Sequence, residues 1–178
     1  MTGDVNIIGN LTIEDNVTVV FQGYYDFNVI GSLAVEGSAE YPVIFDWNDT
    51  AMVYWGSLAF QSGSSGSLSY LNISNCNGIY LDNVSVPISN VNIMTVEFGI
   101  LGEFYGMEQD VVLNFSDIHI NNAFAAVAII NENGSLDVTI ERFVADRLVY
   151  IGGFGTSTGA VDLAVIDCMF NDSVYGLG

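Results

Sequence analysis

The chain has 178 residues, about half of them apolar, and a formal charge of −19, a length that fits one domain with a sizeable core. The charge reflects missing bases rather than surplus acids: Asp and Glu total 21, Lys is absent, and Arg142 and Arg147 are the only arginines. Without a basic footprint nucleic acid is excluded as a partner, and without about 18 consecutive apolar residues or a basic-then-apolar start neither a membrane span nor a signal peptide is expected.

Such a balance suits acidic surroundings, where carboxylates with reference pKa values near ~4 are protonated. The competing reading is a general acidic surface protein, and solubility at low pH separates the two.

In chain order, "LTIEDNVTVVF" predicts two short strands on either side of the corner "EDN", with Leu11, Ile13, Val17 and Val19 as their apolar positions. "FNVIGSLAVEGSAEYPVIFDW" repeats the scheme. "WGSLAFQSGSSGSLSYLNIS", Trp55 to Ser74, reads as a strand, a Gly/Ser break and a second strand, with no acidic or basic residue in it. From residue 67 the lines stack in register: "SLSYLNISNCNGIYL", "VPISNVNIMTVEFGIL", "VVLNFSDIHINNAFAAVAII", "SLDVTIERFVADRLVYI" and "AVDLAVIDCMFNDSVYGL". Each alternates apolar residues, crosses a corner with Asn or Asp, and returns to apolar residues after Gly or Ala. The anchors Ile73, Ile93, Ile120, Val144 and Phe170 lie 20, 27, 24 and 26 residues apart, a period that marks a solenoid of short strands. "NNAFAAVAII" has Ala-rich helix propensity, yet it occupies a strand position in the repeat and is read as strand.

"VIGSLAVEGSAEYPVIFDW", "WGSLAF" and "SGSLSYLNISNCNGIYL" together resemble the motif train of right-handed parallel β-helix proteins on microbial surfaces. That train has a G-x-L-x-x-x-G line, a P-[VI]-x-F line, a W-x-x-[IL]-x-F line and repeated x-[IL]-x-x-[IV] lines with Asn corners. The resemblance spans most of the chain and implies an all-β, right-handed parallel β-helix solenoid of roughly seven coils. Residues 1–178 then form a single domain, expected to be a segment of a longer surface protein. The same fold carries pectate lyases, polygalacturonases, tailspikes, adhesins and surface-layer proteins, so function has to come from a site.

Parallel coils stack at ~4.8 Å and bring equivalent side chains into ladders. Like charges in such ladders repel, which accounts for the uncharged outward Ser, Thr, Asn and Gly. Seven coils make a rod of about 35 Å with two open ends whose backbone groups need partners. Neither "MTGDVNII" nor "DSVYGLG" resembles a cap, so a longer solenoid or pairing with a neighbour is expected there.

Cys76 and Cys168 fall four coils apart, ~19 Å against the ~7 Å limit for a disulfide, and are read as small buried hydrophobes. His119 is the only histidine and points outward near Asp117; a metal site usually needs more than one such ligand, so no metal is assigned. "DWNDT" and "NEN" supply the oxygens a Ca²⁺ ion would use, without a twelve-residue loop or a glycine-rich nonapeptide repeat. Arg142 and Arg147 are expected to pair with Glu141, Asp146 or carboxylates of adjacent coils.

β-Helix lyases resemble one another in an Arg or Lys base beside Ca²⁺-binding Asp residues, and the hydrolases in Asp pairs with Asn-x-Asp, His-Gly and Arg-x-Lys elements. This chain has no Lys, His-Gly, Asp-Asp or Arg-x-Lys. Its longest carboxylate cluster is Glu97, Glu103, Glu108 and Asp110, beside Phe98, Phe104 and Tyr105. Paired carboxylates near aromatics suit glycoside cleavage; a solvated insertion or an aromatic contact patch is the plainer reading.

Asn-x-Ser/Thr occurs at Asn10, Asn16, Asn48, Asn72, Asn83, Asn114, Asn133 and Asn171, more often than composition predicts. Covalent glycans imply export and an accessible outer face. The expectation is therefore a non-enzymatic structural or adhesive segment of a glycosylated, extracellular cell-surface protein of a prokaryote, with the sequons pointing to an archaeon. It would assemble with itself or with neighbouring surface domains. A carbohydrate-active enzyme or glycan-binding module is the alternative.

Overall fold

The structure is a computed structural model describing residues 3–47, 54–94, 97–105, 110–148, 150–172 and 175–177. Among these residues there is no helix, and the nineteen strands, numbered in chain order, form three parallel ladders. The first face stacks β1 (Val5–Ile7), β4 (Phe27–Val29), β7 (Trp55–Phe60), β9 (Cys76–Asp82), β11 (Phe98–Phe104), β13 (Ala125–Asn131), β16 (Tyr150–Thr156) and β19 (Tyr175–Leu177). The second stacks β2 (Asn10–Glu14), β5 (Ser32–Glu36), the first halves of β8 (Ser65–Ser74), β10 (Ile88–Met94) and β12 (Val111–Asn121), then β14 (Leu136–Glu141) and β17 (Val161–Ile166). The third stacks β3 (Thr18–Phe21), β6 (Val43–Trp47), the second halves of β8, β10 and β12, then β15 (Val144–Asp146) and β18 (Met169–Asn171). This is a right-handed parallel β-helix of about six turns, close to the expected seven coils.

The corners explain the three-sided section. Between the second and third faces Tyr70, Asn90, Asp117, Arg142 and Asp167 occupy one column, each with φ between 50° and 55°. Where the third face ends, Asn75, Asn122, Arg147 and Asp172 form another left-handed column, with φ between 50° and 62°. Asn and Asp tolerate this region better than other side-chain-bearing residues, so the "small polar corner" of the sequence is a backbone requirement. The first corner, "EDN", turns at Asn16, φ 60°, between β2 and β3 as expected.

Inward columns build the core. Ile13, Val35, Leu68, Ile88, Phe115, Ile140 and Val165 stand in one line. Val19, Phe45, Ile73, Ile93, Ile120, Ala145 and Phe170 stand in another. The register of Ile73, Ile93 and Ile120 is as expected, but the next member is Ala145: Val144 pairs with His119 on the outward line and is half-buried. Phe143, two residues earlier on the same coil, and Phe170, opposite Ala145 on the next, bring their rings to 6.2 Å of each other. Between coils Phe21 stacks flat on Trp55 at 4.0 Å, with Phe27 and Phe45 packed around them, and the Trp55 Nε1–H donates to the Ser74 carbonyl at 2.8 Å. Cys76 is buried, Cys168 half-buried, and the two are not bridged to each other. The Ala-rich segment is β13, as the repeat demanded over its helix propensity.

Candidate functional site

The two left-handed columns bracket the third face, so its outward side chains stand between raised corners. One outward line is Ile44, Asn72, Asn92, His119, Val144 and Met169; the neighbouring line passes through Ser74, Met94, Asn121, Asp146 and Asn171. Over three coils they enclose an open groove of 410 Å³ lined by Asn72, Ser74, Asn92, Met94, His119 and Asn121.

Hydrogen bonds across coils hold the groove walls. Asn92 Nδ2 donates to Asn72 Oδ1 at 2.7 Å, and Ser74 Oγ donates to Asp46 Oδ1. His119 Nε2 meets Asp146 Oδ2 at 2.8 Å, and Asn171 Nδ2 donates to the other oxygen of Asp146 at 2.7 Å. The hydrogen bond from Asn171 first, then that from His119, holds the Asp146 carboxyl below the usual carboxylate range. The Asp117 carboxyl is lowered likewise, chiefly by its hydrogen bond from Arg142. Arg142 donates from Nε and Nη2 to the two oxygens of Asp117 at 2.6 and 2.7 Å and also contacts Glu141. Arg147 hydrogen-bonds an amide, both Nε and Nη2 donating to Asn121 Oδ1 at 3.1 and 2.8 Å, while its charge also attracts the expected Asp146.

Each basic side chain of the chain therefore lies on or beside this face. The groove is lined without Asp or Glu in an acidic molecule, offering amides, the His119 imidazole bonded to Asp146 and the exposed Met94 thioether. It can hydrogen-bond a neutral, hydroxyl-rich ligand while Met94 meets apolar C–H surface.

Two members of the predicted carboxylate cluster stand apart. Glu97 precedes β11 and Glu103 lies near its end, six extended residues or ~20 Å away, well beyond the ~5–9.5 Å of glycosidase pairs. Glu103 accepts from the Tyr80 hydroxyl at 2.8 Å, and burial first, then this bond, pushes the Tyr80 pKa up. Asp110 accepts from the Ser135 amide at 2.9 Å. Glu108 lies outside the described residues.

The aromatic patch needs correction at Phe104, which is buried at 3% exposure because strand alternation turns it inward; Tyr105 beside it is exposed. Phe98 instead meets Phe124 edge-on at 6.2 Å, and Phe124 meets Tyr150 at 5.0 Å. The signal was present as aromatics at a constant spacing of 26 residues.

Of the sequon asparagines, Asn48 lies outside the described residues; Asn10, Asn16, Asn114 and Asn171 are exposed, and Asn72, Asn83 and Asn133 half-buried. Of the Ca²⁺ candidates, "DWNDT" lies partly outside the described residues. Asp46 is bonded to Ser74 and Asn75. Among the described residues no three metal-ligating side chains cluster. No protein family matches the chain, and no curated protein or solved structure does either.

Proposed function

We propose that this β-helix is a structural or adhesive segment of a glycosylated, extracellular cell-surface protein of microbial, archaeal type. It is not an enzyme, and it works through its faces and ends. The observation that supports this best is the placement of the sequons: none of the seven described asparagines is buried, and Asn10, Asn72 and Asn114 each have Asn, Ser or Thr opposite them on an adjacent coil, at Ser32, Asn92 and Thr139. Apolar surface at the first coil, a 480 Å³ cleft lined by Val5, Ile7, Leu11, Ile13 and Val19 among others, supports contact with a neighbouring coil or domain.

Intact-mass and peptide mass spectrometry of protein from a glycosylating source, with electron microscopy of its assemblies, tests the reading. Occupied sequons and ordered arrays are expected; bare asparagines on discrete monomers that cleave an acidic polysaccharide would overturn it.

The 410 Å³ groove favours a glycan-binding module as the second reading. Titration with neutral and acidic oligosaccharides, followed by NMR of the His119 imidazole, separates the two: saturable binding to added sugar supports the module.

A further inference from the structure

The sequon at Asn72 and the groove occupy one place. Asn72 and Ser74, the first and third residues of Asn72-Ile73-Ser74, both line the 410 Å³ groove, together with Asn92, Met94, His119 and Asn121. The bond from Asn92 leaves the modifiable atom out of the contact: Asn72 Oδ1 accepts from Asn92 Nδ2 at 2.7 Å, which engages the amide oxygen and not Nδ2, the nitrogen that carries N-linked sugar. Two other sequons differ. Asn83 Nδ2 donates to Asp82 Oδ1 at 2.9 Å, and Asn171 Nδ2 donates to Asp146 Oδ1 at 2.7 Å.

We propose that the groove is the seat of a glycan carried by Asn72 itself, whose first sugars lie along the third face against Asn92, Met94, His119 and Asn121. The inference rests on the glycoprotein reading above and adds a conformation to it. In the modification Asn72 Nδ2 loses one hydrogen and bonds the anomeric carbon of a lipid-phosphate-linked oligosaccharide. The lipid phosphate leaves with the electron pair of its bond to that carbon, the amide proton passes to solvent, and the remaining N–H stays available to the groove. Asn92 retains its bond to Asn72 Oδ1, because glycosylation leaves the carbonyl oxygen unchanged. The groove's side chains suit such an occupant: amide donors and acceptors for hydroxyl and acetamido groups, the thioether for the C–H face of a pyranose, and no Asp or Glu among the lining residues.

Met94 reports the seat directly. It is 57% exposed in the bare chain, as is Met169 on the last coil, so peroxide should oxidise both at comparable rates without sugar. The test uses the full chain from an N-glycosylating host, with peptide mass spectrometry for site occupancy and for sulfoxide formation. Asn72→Gln and Ser74→Ala, which each abolish this sequon, and Ser116→Ala, which abolishes only that of Asn114, serve as comparisons.

The expected result is an occupied Asn72, with Met94 oxidised several-fold more slowly relative to Met169 than in Asn72→Gln and Ser74→Ala, and no such change in Ser116→Ala. Equal Met94 oxidation with and without the Asn72 glycan overturns the seat while leaving the glycoprotein reading intact. So does a bare Asn72 beside occupied sequons elsewhere. A chain with every sequon bare removes both.

Discussion

Arg142 grips Asp117 across one coil with two parallel hydrogen bonds, 2.6 Å from Nε and 2.7 Å from Nη2. Both residues sit in the same column of left-handed corners, and Asp167, the next member of that column, also attracts the guanidinium. One arginine thus stands between two carboxylates two rungs apart in the column and attracts both.

Acid should therefore weaken a defined part of the structure. The folded pKa values of Asp117 and Asp146 are depressed, so their contribution is complete above the unfolded value of about 3.9 and disappears as pH falls through the folded values. Asp117→Asn should lower Tm at neutral pH and narrow its difference from wild type in strong acid. Thermal melts of both proteins from neutral to strongly acidic pH check this; a difference that stays constant across the range contradicts it.

Phe104 and Tyr105 adjoin in sequence and part in space. Phe104→Ala should destabilise by about 3–5 kcal/mol, the usual cost of emptying an aromatic site in a core. Tyr105→Ala should stay within about 0.5 kcal/mol, as surface changes do. Urea denaturation of both variants reads the contrast directly.

Gly78 is required by its backbone. Its φ is +114°, and a Cβ there would stand 1.8 Å from the Phe98 carbonyl oxygen. Gly78→Ala should cost about 3 kcal/mol or more through strain and displacement of the adjacent coil. Gly153→Ala, where a Cβ meets nothing within 4 Å, should be neutral or stabilise by about 0.5 kcal/mol. Chemical denaturation of the pair discriminates the two environments.

The neutral ladder of Asn72 and Asn92 can be charged deliberately. In unglycosylated protein the double variant Asn72→Asp/Asn92→Asp should lose about 0.5–1 kcal/mol more than its two single variants combined, from like charges on adjacent rungs. The excess should shrink at high salt. A double-mutant cycle at two salt concentrations measures it.

Periodicity and corner chemistry made most of the fold legible in the sequence. The line through Ile73, Ile93 and Ile120 was readable because alternation and spacing agree there. At "FVADR" they conflict: Val144 is the larger hydrophobe, yet Phe143 and Ala145 face inward because the left-handed turn at Arg142 fixes the phase. The site was less legible. His119 meets Asp146 on a diagonal between rungs, and Glu103 meets Tyr80 across coils, pairings that depend on the length of each coil. The stretch around "GEFYG" reads as a solvated insertion or contact patch, yet Phe104 closes strand β11, whose alternation turns it inward.

The aromatic stack of Phe21, Phe27, Phe45 and Trp55 lies in the first coils, whereas β16 carries Gly152, Gly153 and Gly155 near the other end. Each coil touches only its neighbours, so strength is local. Under tension between its termini the molecule should therefore behave as a directional fastener. It would unravel from the glycine-bearing side and keep its aromatic clasp until last.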